Sequence, residues 1–162
     1  MPGSGKTSVG KVLAQLLGWP LLDTDACLER LHGSPLQALI ERLGESSFRK
    51  LEEEAVLGLE MGEPTVIATG GSVVYSSAAM ARLAAASTVV FLDVGIDAIR
   101  ERIAAQAPRG IVGMAEGGLE DLYSERQPLY LRYADLVLHL NGENQEQVAR
   151  RLIATLSLAG PD

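Results

Sequence analysis

The chain has 162 residues, a formal net charge of −7, 47% hydrophobic residues and 22% charged residues. Such a length suits a single domain that buries its own core, and such an apolar share excludes a disordered chain. The acidic balance speaks against a nucleic acid partner and requires any bound anion to meet a local cationic site, while the longest apolar stretch, around Leu83 to Leu92, is broken by Ser87 and Thr88 and is too short to span a bilayer.

Apolar runs alternate with amphipathic stretches along the whole chain, which predicts an α/β protein with a parallel sheet flanked by helices. Thr7 to Leu17 reads as a helix with Val9, Val12, Leu13, Leu16 and Leu17 on one face and Gly18 as its stop. A short strand follows at Pro20 to Asp23. Ser34 and Pro35 pattern as the cap and first turn of a helix that Gly44 closes, and Ser46 to Gly62 as another helix. Next come a strand at Thr65 to Ala68, an Ala-rich helix at Ser76 to Ala86, a buried strand at Thr88 to Asp93 and a helix at Ile96 to Ala104. Ala105 to Gly118 carries four glycines and a proline with little periodicity, which predicts a mobile surface lid. Leu119 to Tyr133 returns to helix, Leu136 to Leu140 to strand, and Asn144 to Ala159 to a terminal helix. No linker or repeat interrupts residues 1–162, so one domain is expected.

The most chemically specific segment is Gly3-Ser4-Gly5-Lys6-Thr7 at the start of the first helix. Its glycines let backbone N–H groups wrap a triphosphate closely, and the helix terminus adds partial positive charge. Lys6 would neutralise the β- and γ-phosphates, and the Thr7 hydroxyl would ligate magnesium, which makes Mg-ATP the expected cofactor. The motif's usual first glycine would fall just before Met1, and a strand should lead into the loop. The chain as given starts inside the motif, so the doubly wound sheet is expected to lack its first, central strand.

Asp23-Thr24-Asp25 lies at the end of the Pro20–Asp23 strand, at the sheet edge where open α/β folds bind ligands. One carboxylate can hold a water on magnesium and the other can orient or deprotonate an attacking hydroxyl. The plainer reading is that Asp25 caps the helix Ala26 to His32. Thr69-Gly70-Gly71 follows a strand directly, so its N–H groups can approach a ligand without obstruction. Arg49, Arg109 and Arg126 are the cations expected to grip carboxylate or phosphate oxygens, since guanidinium groups bind them bidentately.

Taken together, Gly3-Ser4-Gly5-Lys6-Thr7, Asp23-Thr24-Asp25, Phe48-Arg49 with Glu52, Ala68-Thr69-Gly70-Gly71, Arg109 and Glu125-Arg126-Gln127-Pro128-Leu129-Tyr130 resemble the shikimate kinase family over essentially the whole chain. The resemblance implies a P-loop fold of the nucleoside-monophosphate-kinase type and transfer of the ATP γ-phosphoryl group to the 3-hydroxyl of shikimate in aromatic amino acid biosynthesis. It places Asp25, Arg49, Gly70, Gly71 and Arg126 around shikimate, with the two arginines on its carboxylate. It gives Arg102 the adenine, Arg109 the transferring phosphate, Asp23 a magnesium-bound water, and Glu52 the orientation of Arg49. The chain departs from the family at Ser72, where a third glycine is usual, and at Gly110-Ile111-Val112, where Pro-Leu-Leu is usual.

A kinase for another hydroxy acid, such as gluconate, would use the same cradle, and a non-catalytic nucleotide-binding relative is the rival from a different class. The single cysteine, Cys27, and the absence of a basic segment followed by an apolar one at the start predict a reducing cytoplasm, or an organelle reached by a peptide outside this sequence. A monomer acting on a small molecule, with no nucleic acid or membrane partner, is expected.

Overall fold

The computed structural model describes residues 1–105 and 111–158, without the side chains of 114–117 and 158. Helix α1 (Lys6–Leu17) buries Val9, Gly10 and Ala14, and Gly18 ends it in the left-handed region, its N–H on the Gln15 carbonyl and the Trp19 N–H on that of Ala14. Strand β1 (Leu21–Asp23) runs straight into α2 (Thr24–His32), followed by α3 (Leu36–Leu43) and α4 (Glu45–Leu57). Strand β2 (Val66–Ala68) leads through a 3₁₀ turn, Val73–Tyr75, to α5 (Ser77–Ala86). The second half comprises β3 (Val90–Val94), α6 (Ile96–Ala104), α7 (Met114–Tyr133), β4 (Leu136–Leu140) and α8 (Gln145–Leu158).

All strand pairing is parallel, as the alternation of strands with helices requires. β1 pairs with β2 in the register Leu21 to Val66 and Asp23 to Ala68, and β3 pairs with β4 from Val90 opposite Leu136 to Val94 opposite Leu140. Among the described residues no strand joins β2 to β3. Val66, Ile67 and Ala68 on one side and Val90, Phe91 and Leu92 on the other line a cleft of about 950 Å³. This is the interrupted sheet centre expected from the sequence. Helices cover both halves: Val9 of α1 and Val148 and Leu152 of α8 pack on Leu92 and Leu138, while Val56, Met80 and Leu83 form a cluster with Val73 and Val74. Met1 is buried beside Val94, Ile99, Leu119 and Leu122, which anchors the start of the phosphate loop to α6 and α7. Among the described residues no helix is long and apolar enough to cross a membrane.

Several sequence-based boundaries need correction. Helix α4 stops at Leu57 rather than Gly62, where the Gly58 N–H closes on the Glu54 carbonyl and the Leu59 N–H on that of Val56. Ser34 does not cap α3; Pro35 occupies the cap position, and the Glu29 carboxylate reaches across to accept the Leu36 N–H at 3.0 Å. Asp25 does not cap α2 either. That role falls to Asp23, whose carboxylate accepts the Ala26 N–H at 3.1 Å, so Asp25 stands in the first turn. Leu119 to Tyr133 is helical as expected, but α7 (Met114–Tyr133) also includes a short segment before it, joined across the non-helical Gly118 (φ 75, ψ −173). Of the lid span 105–118, residues 106–110 lie outside the described residues. Within it, Val112 is buried with Leu28, Leu39 and Phe48 rather than exposed.

Candidate active site

The phosphate loop owes its shape to two glycines. Gly3 has φ +71, and a Cβ there would meet Ile103 Cγ1 at 3.3 Å; Gly5 has φ +91 and caps α1. The loop wraps the Lys6 ammonium, which donates to the Met1 carbonyl at 2.8 Å. Desolvation lowers the Lys6 pKa, and the carboxylate of Asp25 leads the influences that oppose this. Thr7 Oγ1 donates to Asp23 Oδ2 at 2.7 Å, so the two magnesium candidates of the sequence meet at the mouth of the loop. Both are hard oxygen donors of the kind magnesium selects. Arg102 lies across the loop, Nη1 donating to the Gly3 carbonyl at 3.3 Å and the Ser4 carbonyl at 3.4 Å.

The acceptor side is built where β1 and β2 end together. The Thr24 hydroxyl accepts the Gly70 N–H at 3.1 Å, which ties the Asp23-Thr24-Asp25 turn to the Gly70-Gly71 turn. Gly70 is required by proximity. A Cβ there would overlap the Glu52 carboxylate and lie 2.7 Å from Asp25 Oδ1. Glu52 is 4% exposed and takes a short hydrogen bond from the Ser72 hydroxyl. Burial pushes its carboxyl up to about 7, the Ser72 hydrogen bond works against that rise, and the Asp25 charge adds to it.

Arg126 is the most enclosed charge in this region, at 1% exposure. Its Nη2 donates to the Val112 carbonyl at 2.7 Å and its Nε to the Tyr75 hydroxyl at 3.1 Å. Gly71 leaves room for Nη1, which would stand 3.1 Å from a Cβ at that position. Tyr130 donates to the Gly71 carbonyl at 2.7 Å, and burial pushes its phenol up to about 12. A buried cation whose hydrogen-bond partners are a phenol and a carbonyl is poised for an anionic ligand.

One cleft of about 1090 Å³ brings together Gly3, Ser4, Gly5, Lys6, Thr7, Asp23, Asp25, Gly71, Arg102 and Arg126. Arg49 stands apart from this lining. Its guanidinium lies over the Tyr75 ring, and its ion pair is with Glu45 at 3.8 Å rather than with Glu52. Arg109 lies outside the described residues. Sequence reasoning missed Tyr75 and named Tyr130 only as part of a motif, with no role, because a tyrosine in a turn or on a helix carries no signal of what it will touch. Glu45 was missed too; it accepts the Gly113 N–H at 2.6 Å and so links α4 to the segment before α7. His139 Nδ1 lies 2.8 Å from Asp93 Oδ2 at an exposed position.

A phosphate loop capping the first helix, beside two carboxylates and a buried arginine at the carboxyl ends of parallel strands, defines a P-loop kinase of small molecules. The comparisons narrow this class. The family profile described as Shikimate kinase matches residues 2–157. A shikimate kinase of Paracidovorax citrulli is 37% identical over 99% of this chain and 90% of its own length. One from Thermobifida fusca is 35% identical over 98% and 92%. Among solved structures, the Acinetobacter baumannii shikimate kinase in complex with shikimate superposes with a TM-score of 0.89 at 29% identity, covering 99% of this chain and 91% of that one. The Aquifex aeolicus shikimate kinase gives 0.79 at 27% identity over 98% and 94%. The chain belongs to the shikimate kinase family and is an ATP-dependent kinase.

Proposed function

We propose that this chain transfers the γ-phosphoryl group of ATP to the 3-hydroxyl of shikimate. The observation that carries the reading is the shared cleft, in which the Lys6 loop, Asp25 and the buried Arg126 face one space. The likeness to a shikimate kinase holding shikimate supports the choice of acceptor. Arg126 and Arg49 grip the carboxylate, Asp25 orients the attacking hydroxyl, and Gly70 and Gly71 let the ring approach the backbone. The loop N–H groups and Lys6 hold the β- and γ-phosphates, so catalysis is positioning and charge neutralisation. Magnesium, for which the Thr7 hydroxyl and the Asp23 carboxylate are suited ligands, would supply further neutralisation of phosphate charge. Arg102, resting on the loop carbonyls, would meet the adenine, and Arg109 the transferring phosphoryl group from a lid. The reading includes a cytoplasmic monomer with no nucleic acid partner.

A coupled ADP-release assay with shikimate, gluconate and other hydroxy acids tests this. Shikimate should give the highest kcat/KM. A higher value for gluconate, or ADP release indifferent to the acceptor, would remove shikimate as the substrate.

A further inference from the structure

We propose that Tyr75 is a positioning residue that sets the spacing of the two arginines for the acceptor's carboxylate. The inference rests on the reading of Arg49 and Arg126 given above. Tyr75 ends the 3₁₀ turn Val73–Tyr75, and it touches both cations. Arg49 Cζ lies 3.9 Å from the centre of its ring, and Arg126 Cζ lies 5.1 Å away. Arg126 Nε also donates to its hydroxyl at 3.1 Å. One rigid side chain thus contacts two long ones that would otherwise sample many rotamers.

Arg49 depends on this support. Its ion pair with Glu45 is long, at 3.8 Å, and its side chain is 36% exposed, so that pair does little to orient it. Its Nε is buried with no hydrogen-bond partner among the described residues. Glu52 is engaged by the Ser72 hydroxyl from the same turn, and the Tyr75 ring lies against the Arg49 guanidinium at 3.9 Å. Stacking fixes the guanidinium plane while its edge N–H groups stay available, and a planar carboxylate is the ligand that such an edge matches. Arg126 is fixed by a different part of the same residue, the hydroxyl, together with the Val112 carbonyl. The hydroxyl therefore acts on Arg126 alone, while the ring acts on Arg49 at 3.9 Å and less closely on Arg126 at 5.1 Å.

The test is steady-state kinetics of Tyr75→Phe and Tyr75→Leu with shikimate and ATP varied in turn. Tyr75→Phe keeps the ring and should raise the KM for shikimate about tenfold through Arg126 alone, and Tyr75→Leu should raise it further, with the KM for ATP within about twofold of wild type. In an Arg126→Ala background Tyr75→Phe should add nothing, and in an Arg49→Ala background the difference between Phe and Leu should shrink to what the more distant ring contact with Arg126 contributes. An unchanged shikimate KM in Tyr75→Phe, with Arg49→Ala and Arg126→Ala still raising it, overturns the proposal alone. Equal rises in both KM values also overturn it, since a residue that only fills space disturbs both subsites. If the two arginine variants leave the shikimate KM unchanged, the carboxylate reading fails and this proposal with it.

Discussion

Replacing Glu52 by Gln should remove a pH dependence of stability that wild type carries between pH 4 and 8. Glu52 is 4% exposed, and burial raises its carboxyl from an ordinary 4.5 to about 7. Between those values the native state holds a proton that the unfolded chain has released, so stability falls as pH rises through this window and the loss is complete above pH 7. The rise from 4.5 to about 7, at about 1.4 kcal/mol per pH unit, corresponds to about 3 kcal/mol. For a chain of this length that is a difference of about 6–12 °C in Tm. Urea titrations followed by circular dichroism at half-unit pH steps would measure it as the stability of wild type minus that of Glu52→Gln. The difference should decline toward high pH by the stated amount. Ser72→Ala provides a second check: the Ser72 hydroxyl works to lower the Glu52 pKa, so its loss should extend the decline to higher pH. Parallel stability curves for wild type and Glu52→Gln across this range would refute the reasoning.

Further variants probe the two halves of the cleft. Lys6→Ala should cut kcat by at least about 10²-fold while leaving the circular dichroism spectrum unchanged, because the loop loses its phosphate-facing charge; retained turnover would contradict the phosphate cradle. Arg126→Ala should weaken shikimate binding by about 2–5 kcal/mol with ATP affinity spared, as separate calorimetric titrations would report. Gly70→Ala would press on both Glu52 and Asp25, so it should lower acceptor affinity and Tm together. An amino-terminal extension of about six Val, Ile or Leu residues ending in Gly would test the cleft between β2 and β3. It should raise Tm and ATP affinity, since a strand there would satisfy both flanking edges and brace the loop.

The phosphate cradle was legible in the sequence because its chemistry is local: two glycines, a lysine and a threonine act within one turn and one helix start. Asp23 and Asp25 were also found, but their roles at the helix start were exchanged. Either carboxylate at that spacing can reach a free N–H; Asp23 does so because its extended backbone (φ −105, ψ 112) makes it the residue that precedes the helix, while Asp25 is already in the first turn. The interruption of the sheet between β2 and β3 was also among the expectations. What could not be read was the network behind the arginines. Tyr75 meets Arg49 and Arg126 across 26 and 51 positions, and such contacts depend on how β2, α4 and α7 pack rather than on any periodic pattern. Val112 misled in the same way, since glycines on either side of it suggest exposure while its side chain packs among Leu28, Leu39 and Phe48.

The most direct test of the account is to incubate the protein with ATP, magnesium and shikimate and identify the product by phosphorus–proton correlation NMR. A single phosphate ester coupled to the proton on carbon 3, formed in step with ADP and absent in the Lys6→Ala variant, is the predicted result. A phosphate on another hydroxyl, or ADP accumulating with no phosphorylated shikimate, would contradict the assignment of this cleft.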